Sequence, residues 1–503
     1  MTVATGGPGA GAAAPTPGVA ARPPRQAPAD LTVTFADEST VRRVSAALGE
    51  PDWLLGDRLA AIAAFGPLPV EANRLYTPYV DLRTARLAEV RLYEVAAAAP
   101  GRSAASEIPE GAAGIVELRE DEVAALALDD EARAAGVILD TVAGLRARDP
   151  DLLRRLLAGS QLPDDDKLAQ LTRALWVQGV VIHVPDGVRL ERPIVLRWAL
   201  GAPGRALLSR TLVSVGDDAQ LTLVEEQVPS DLPAGATAGT AVAGTVEVGA
   251  GAPAVGAPPQ ASQSLYGGTT EVRLGRAANV AVASLQDFSI GQVIFQHRAG
   301  VVGPASTLHW ALAQLGSRLV RSRVDNRLEG DGSSVEQVEI VFGSADQLFD
   351  LTSYTRHLGR DTTGNLLSKA VLLDHSRAYL KGLISIDKPA HGTDSFLGEF
   401  GMLLSKQARS VAIPSLEIDQ PDCRRAAHSS SVGPIDEGQL FYLESRGIPP
   451  FEARKFIVLG FLEPVVARVP LADAQDRLRD LLDAKWAAAQ PSAPASGRAT
   501  AAA

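Results

Sequence analysis

Beyond Trp176 the 503-residue chain begins to repeat itself. Glycine-led turns recur at Gly275, Gly303, Gly332 and Gly359, at intervals of 28, 29 and 27 residues. Gly216 precedes Gly275 by 59 residues. Removing roughly 33 residues of Ala/Gly/Pro-rich insert restores the same period. Short β-branched runs fill the intervals, as in "GVVIHVPDGVRLERPIVLRW" and "RTLVSVGDDAQLTLVEEQ". Strand–turn units at one long period constrain the fold to a solenoid, in which each coil buries its apolar face only by stacking on its neighbours. A β-sandwich would place its turns every ~8–12 residues without that longer repeat. The expected class is mainly β: a right-handed parallel β-helix flanked by helical regions at both ends.

Composition and periodicity place the boundaries. Residues 1–29 and 487–503 are Ala/Gly/Pro-rich and are expected to be disordered tails, because they bury too little apolar surface to offset chain entropy. Residues 229–263 have the same character and read as a loop inserted into the β-helix, which spans 176–415. Residues 30–175 read as a mainly helical region. "ADESTVRRVSAALGE", "EPDWLLGDRLAAIAAFG" and "DDKLAQLTRALW" each start on acidic, hydroxyl or Pro residues, and the first two end at Gly. Residues 416–486 read as a C-terminal helical domain. There Asp436 and Gln439 have capping-box spacing, and Gly447 suits a C′ position. Pro464 is expected to interrupt or kink the following helix. The last helix has Leu471, Ala474, Leu478, Leu481 and Leu482 on one face.

Several function classes are disfavoured. The net charge of −11 gives no basic footprint for nucleic acid. No apolar run is long enough to span a bilayer, and the N-terminus lacks the basic and apolar regions of a secretory signal. A cytoplasmic protein without membrane or nucleic-acid partners is expected. Gly359 and Gly364 have P-loop spacing, but Asn365 and Leu366 stand where Lys and Ser/Thr are required. Glu336 with Glu339, and Asp346 with Asp350, raise sugar chemistry on a β-helix as an alternative. Surface solvation is the commoner use of such carboxylates. Cys423 is the only thiol, too few for a disulfide framework or for an iron–sulfur cluster held by this chain alone.

One stretch stands apart. "LEIDQPDCRRAAHSSSVGPIDEGQLFYLESRGI" resembles the C-terminal signature of the SufB/SufD family of iron–sulfur cluster assembly proteins. "EPDWLLGDRLAAIAAF", "RLYTPYVDL", "DKLAQLTRALWVQGVVIHVPDGVRLERPIVL" and "SRAYLKGLISIDKPAHGTDSF" agree with it. The resemblance runs from about Asp37 to Trp486. It implies a non-enzymatic scaffold subunit that pairs with a SufB-like chain, or with itself when alone. It also implies that a SufC-like ATPase docks on the C-terminal helical domain. No cofactor of its own is implied, only a transient iron–sulfur cluster shared with the partner.

Within the family the chain is more similar to SufD. SufB chains carry several cysteines and a Glu after the signature histidine, whereas Ser429 follows His428 here. Many SufD chains have Cys two residues before that histidine, and here the position is Ala426. A SufB-like paralogue is the alternative. The resemblance makes His428 the candidate cluster-site residue, as iron ligand or proton carrier, and leaves Cys423 a weaker candidate ligand. Read from its neighbours alone, His428 is expected to sit in the turn before a helix, and Cys423 is expected to be a small buried residue.

Overall fold

A computed structural model describes residues 31–93, 107–158, 162–230, 262–469 and 472–488. Residues 1–29, 231–261 and 489–503, which hold most of the expected tails and insertion, lie outside these. Among the described residues the chain builds two ten-stranded sheets. They face each other as a parallel β-solenoid of about eight coils with helices at both ends. Successive strands alternate between the sheets. Sheet I ends with Leu319–Leu328, Leu348–His357, Arg377–Ile386 and Arg409–Ile418. Sheet II ends with Ser334–Gly343, Thr363–Leu372, Asp394–Leu403 and Arg425–Pro434.

The period seen in the sequence is the circumference of one coil. At one corner the backbones stack so closely that side chains are excluded. A Cβ on Gly303 would lie 2.6 Å from the carbonyl oxygen of Gly275, and one on Gly275 would lie 2.8 Å from the carbonyl carbon of Gly216. The next members are Gly330 and Gly359, each against the glycine one coil earlier. Gly332, counted in the repeat, is therefore replaced in the stack by Gly330. Gly332 instead supplies the left-handed residue of its turn (φ 69°), as Asp218, Ala277, Ala305 and Asp361 do in theirs. Gly303→Ala is expected to cost about 1–3 kcal/mol through this overlap. Gly291→Ala, where the added carbon meets nothing, is the control. Equal unfolding midpoints for the two variants would refute the close-stacking argument.

Side chains alternate between three cores. Inward residues such as Ile294, Val320, Val282, Leu308 and Phe349 fill the space between the sheets. The outer face of sheet I, through Val293, Phe295 and Leu319, takes the N-terminal helices Asp52–Phe65 and Lys167–Leu175. The outer face of sheet II, through Ala283, Ala311, Ile340 and Phe342, takes Pro450–Val466 and Ala472–Ala488, which contribute Val458, Leu462, Leu478, Leu482 and Trp486.

The helix ends obey the expected chemistry. Asp37 caps Glu38–Leu48, Asp166 caps Lys167–Leu175, and Asp436 accepts from the amides of Gly438 and Gln439. Gly447 has φ 86° just past Glu437–Ser445. Pro464 does not interrupt its helix, which continues to Val466. Because Pro464 stands one turn from the end, little of the ladder remains to be broken.

Two regional expectations change. The N-terminal region holds strands Gly114–Arg119, Glu122–Leu128 and Ile138–Thr141 beside its helices. These strands end both sheets at the first coil. At the other end the solenoid continues past residue 415, and helix begins only at Glu437. "AAHSSSVG" has low intrinsic strand preference, but the register of Asp394–Leu403 templates it.

Candidate functional site

The last coil is where the candidate residues fall. His428 is in mid-strand, within Arg425–Pro434, rather than in a turn. Its register partners run back along sheet II as Leu397, Leu366 and Gln337. Leu366 and Leu397 belong to an inward cluster with Ile384, Ile386 and Ala390. Stacked parallel strands keep side chains in register on the same face. His428 therefore continues the inward column, yet it is exposed because no further coil among the described residues covers it. Ala426 lies two residues earlier on the same face, in register with Ser395. A thiol at position 426 would thus share the imidazole's side of the sheet.

Cys423 is half-buried at the corner between the two last strands and packs against the same apolar cluster. Among the described residues no three His, Cys, Asp or Glu side chains converge to hold a metal ion. One imidazole and one thiol cannot complete a cluster that takes about four protein ligands. Any cluster at this end would need ligands from another chain.

Sequence reasoning missed Glu399. It is in register with Ser430, one strand below the open end and diagonal to His428. Its side chain is buried and faces inward, in phase with Leu397. Gly382 in sheet I leaves room for it: a Cβ there would lie 2.9 Å from Glu399 Oε1. Glu399 Oε2 accepts from the amide of Ile413 at 2.8 Å, beside Pro414 in the last strand of sheet I. Among the described residues no basic group forms an ion pair with Glu399. Burial therefore pushes its carboxyl up to about 8, against smaller opposing effects of the Ile413 hydrogen bond and Lys381. The signal was present in "DSFLGEFGML", where Glu399 keeps the alternation of Ser395, Leu397 and Leu403.

This gives a pH expectation. The folded state keeps a proton on Glu399 that the unfolded chain releases near its ordinary value of 4.5. That contribution is complete at low pH and is lost as pH rises through about 8. Glu399→Gln should flatten the decline in unfolding midpoint between mildly acid and mildly alkaline buffer. The difference should be at most a few kcal/mol, at about 1.4 kcal/mol per pH unit. Parallel profiles for the variant and the native chain would show that the carboxyl is solvated.

Buried polar contacts tie the N-terminal segment to this end. Tyr76 Oη donates to the Gly382 carbonyl at 2.8 Å. Glu71, Arg321, Asp350 and Lys381 form a buried cluster holding the N-terminal segment to sheet I, with Arg321–Asp350 at 2.7 Å and Arg321–Glu71 at 3.0 Å. A cleft of about 1010 Å³ on this side is lined by Arg323, Asp325, Tyr354, Arg356 and Asp387. Its basic groups pair within the chain, Arg323 with Asp325 and Arg356 with Asp387, whereas Glu417 and Asp419 of the same lining form no ion pair among the described residues. The carboxylates weighed for sugar chemistry do not meet in a cleft. Glu336 faces outward to Arg468, whereas Glu339 is buried. Asp350 is buried between Arg321 and Lys381, and Asp346 pairs with Arg318. Gly359 is a corner glycine rather than part of a phosphate loop. No described helix is long and apolar enough to cross a membrane.

The comparisons agree with this geometry. Residues 254–461 match the family described as SUF system FeS cluster assembly, SufBD core domain. The iron–sulfur cluster assembly protein SufD of Bacillus subtilis is 27% identical over 369 residues, covering 73% of this chain and 78% of that protein. A SufBD family protein of Staphylococcus haemolyticus is 25% identical over 460 residues, covering 88% of this chain and 91% of its own length. One from Staphylococcus epidermidis is 26% identical over 456 residues, with the same coverage. A solenoid whose last described coil is uncovered, with a signature histidine on its inner face, thus carries a SufBD core domain match over residues 254–461, and most of the chain is similar to SufB/SufD family proteins of iron–sulfur cluster assembly.

Proposed function

We propose that this chain is a SufD-like scaffold subunit whose open solenoid end pairs with a SufB-like chain and whose C-terminal helices dock a SufC-like ATPase. The observation that carries the reading is an asymmetry between the two ends. The first coil is finished by antiparallel strands, Ile138–Thr141 on sheet I and Glu122–Leu128 beyond Gly114–Arg119 on sheet II. Among the described residues the last coil has no such strand, and both sheets end there in unpaired edges with Ile418 and Val432 exposed. Solenoids and sheet edges left without a cap favour pairing with another chain. Such pairing would enclose His428 between two subunits, where iron and sulfide are cargo and neutral imidazole is a suitable iron ligand.

The ATPase reading rests on the C-terminal helices. Pro450–Val466 and Ala472–Ala488 bury one side on sheet II, Glu437–Ser445 packs against Pro450–Val466, and Phe441, Tyr442 and Phe456 stay at 72%, 57% and 58% exposure. Phe441 and Tyr442 are neighbours on a helix that contacts the one carrying Phe456, and exposed apolar side chains on adjoining helices suit a docking surface. The test is a tagged pull-down from the native cell with identification of co-purifying chains. A SufB-like and a SufC-like chain are expected together. Joint replacement of the three aromatics by Ser should lower recovery of the SufC-like chain by about tenfold or more and leave the SufB-like chain in place. Recovery of the tagged chain only as a homodimer would overturn the paired-scaffold reading.

A further inference from the structure

The middle of the solenoid interior contains charge and amide groups where close-packed aliphatics are the rule. Gln296 and Arg298 have the same phase as Ile294 on their strand, and Ser322 that of Val320, so all three point between the sheets. Gln296 and Ser322 are register neighbours. From sheet II, Glu225, Ser284, Gln314 and Glu339 point inward, in phase with Leu223, Val282, Leu312 and Val341. All seven side chains are at most 3% exposed.

The two sides meet at Arg298. Its Nη2 donates to Glu225 Oε2 and to Ser284 Oγ, both at 2.8 Å. Gln314 reaches Glu339 at 3.4 Å. These contacts leave a residue of unmet bonds. Arg298 Nε and Nη1, both polar atoms of the Gln296 amide, Gln314 Oε1 and Ser322 Oγ are buried without a hydrogen-bond partner. Native interiors rarely leave such groups unmet, and ordered water is the usual partner where protein groups do not reach.

We infer that the central coils enclose a polar chamber that binds a small cluster of water molecules between Arg298, Gln296, Ser322 and Gln314. Neutral ligands fit better than ions, because Glu225 matches the Arg298 charge and burial pushes the Glu339 carboxyl up to about 7, toward its neutral form. The orphaned set includes donors on Arg298 and acceptors on both glutamines, as water requires. A buried water makes about three hydrogen bonds, so the unmet atoms need about two molecules.

The test is a high-resolution crystal structure of the full chain, with a second crystal pressurised with xenon. The chamber predicts ordered solvent density within hydrogen-bond distance of Arg298 Nε or Nη1 and of the Gln296 amide, and no xenon there. Xenon at the site would overturn the proposal, as would the same polar atoms bonded directly to one another with no density between them. Water relaxation dispersion in solution gives an independent count. Gln296→Leu with Ser322→Ala should lose about two long-lived waters, and an unchanged count would equally overturn it. If that variant does not fold, the native crystal alone decides.

Discussion

Ser430→Pro is expected to abolish capture of the SufB-like partner, by more than about a hundredfold, while leaving the unpaired chain close to its native stability. The direction of the backbone groups in the last strand explains both halves. Arg425 donates its amide to Thr393, so the odd positions of Arg425–Pro434 bond inward to Asp394–Leu403. In a parallel ladder the alternate residues then present N–H and C=O to the free edge. Those are Ala426, His428, Ser430 and Val432.

Proline at 430 removes a donor that the isolated chain does not use, and edge positions of this kind tolerate it. An added strand would lose that bond and meet the ring. A combined loss of about 3 kcal/mol corresponds to the stated hundredfold. Ser431→Pro is the informative contrast, because its amide faces Asp394–Leu403 and its loss should destabilise the chain itself. Normal capture by a folded Ser430→Pro chain would exclude pairing along this edge.

Much of this was legible in the sequence, for identifiable reasons. The corner glycines are forced by backbone approach, so they recur wherever a coil closes, and their spacing gave away the solenoid. Asp37, Asp166 and Asp436 cap helices through local hydrogen bonds that depend on two or three residues. What the sequence obscured depends on neighbours far along the chain. Ala426–Val432 reads as a small-residue loop, because its extended form comes from register with Ser395–Gly401. Gly332 and Gly330 stand in one "GDG" turn and read alike in sequence, and only the stacking separates their tasks. Glu399 reads in sequence as one more carboxylate, since its burial is created by Gly382 and Ile413 on the opposite sheet.

His428→Ala is expected to leave the assembled subunits recoverable but to lower the iron and sulfide they accumulate in the cell by at least about tenfold. Altering an outer-shell partner of a metal ligand commonly costs 10–100-fold in affinity or activity, and loss of a ligand should cost no less. The imidazole is exposed on the last coil, and no hydrogen bond ties it to the rest of the described chain, so its removal should change stability little. Its backbone remains at the free edge after substitution, so pairing through that edge is preserved. The defect would then belong to the side chain. His428→Cys separates its roles. A thiolate can hold iron, so partial recovery of metal with Cys, but none with Ala or Gln, would identify a ligand. Recovery with neither, at unchanged subunit recovery, would favour proton transfer by imidazole. Full iron and sulfide loading of the Ala variant in an intact complex would remove His428 from the site and leave it as the last residue of an inward column.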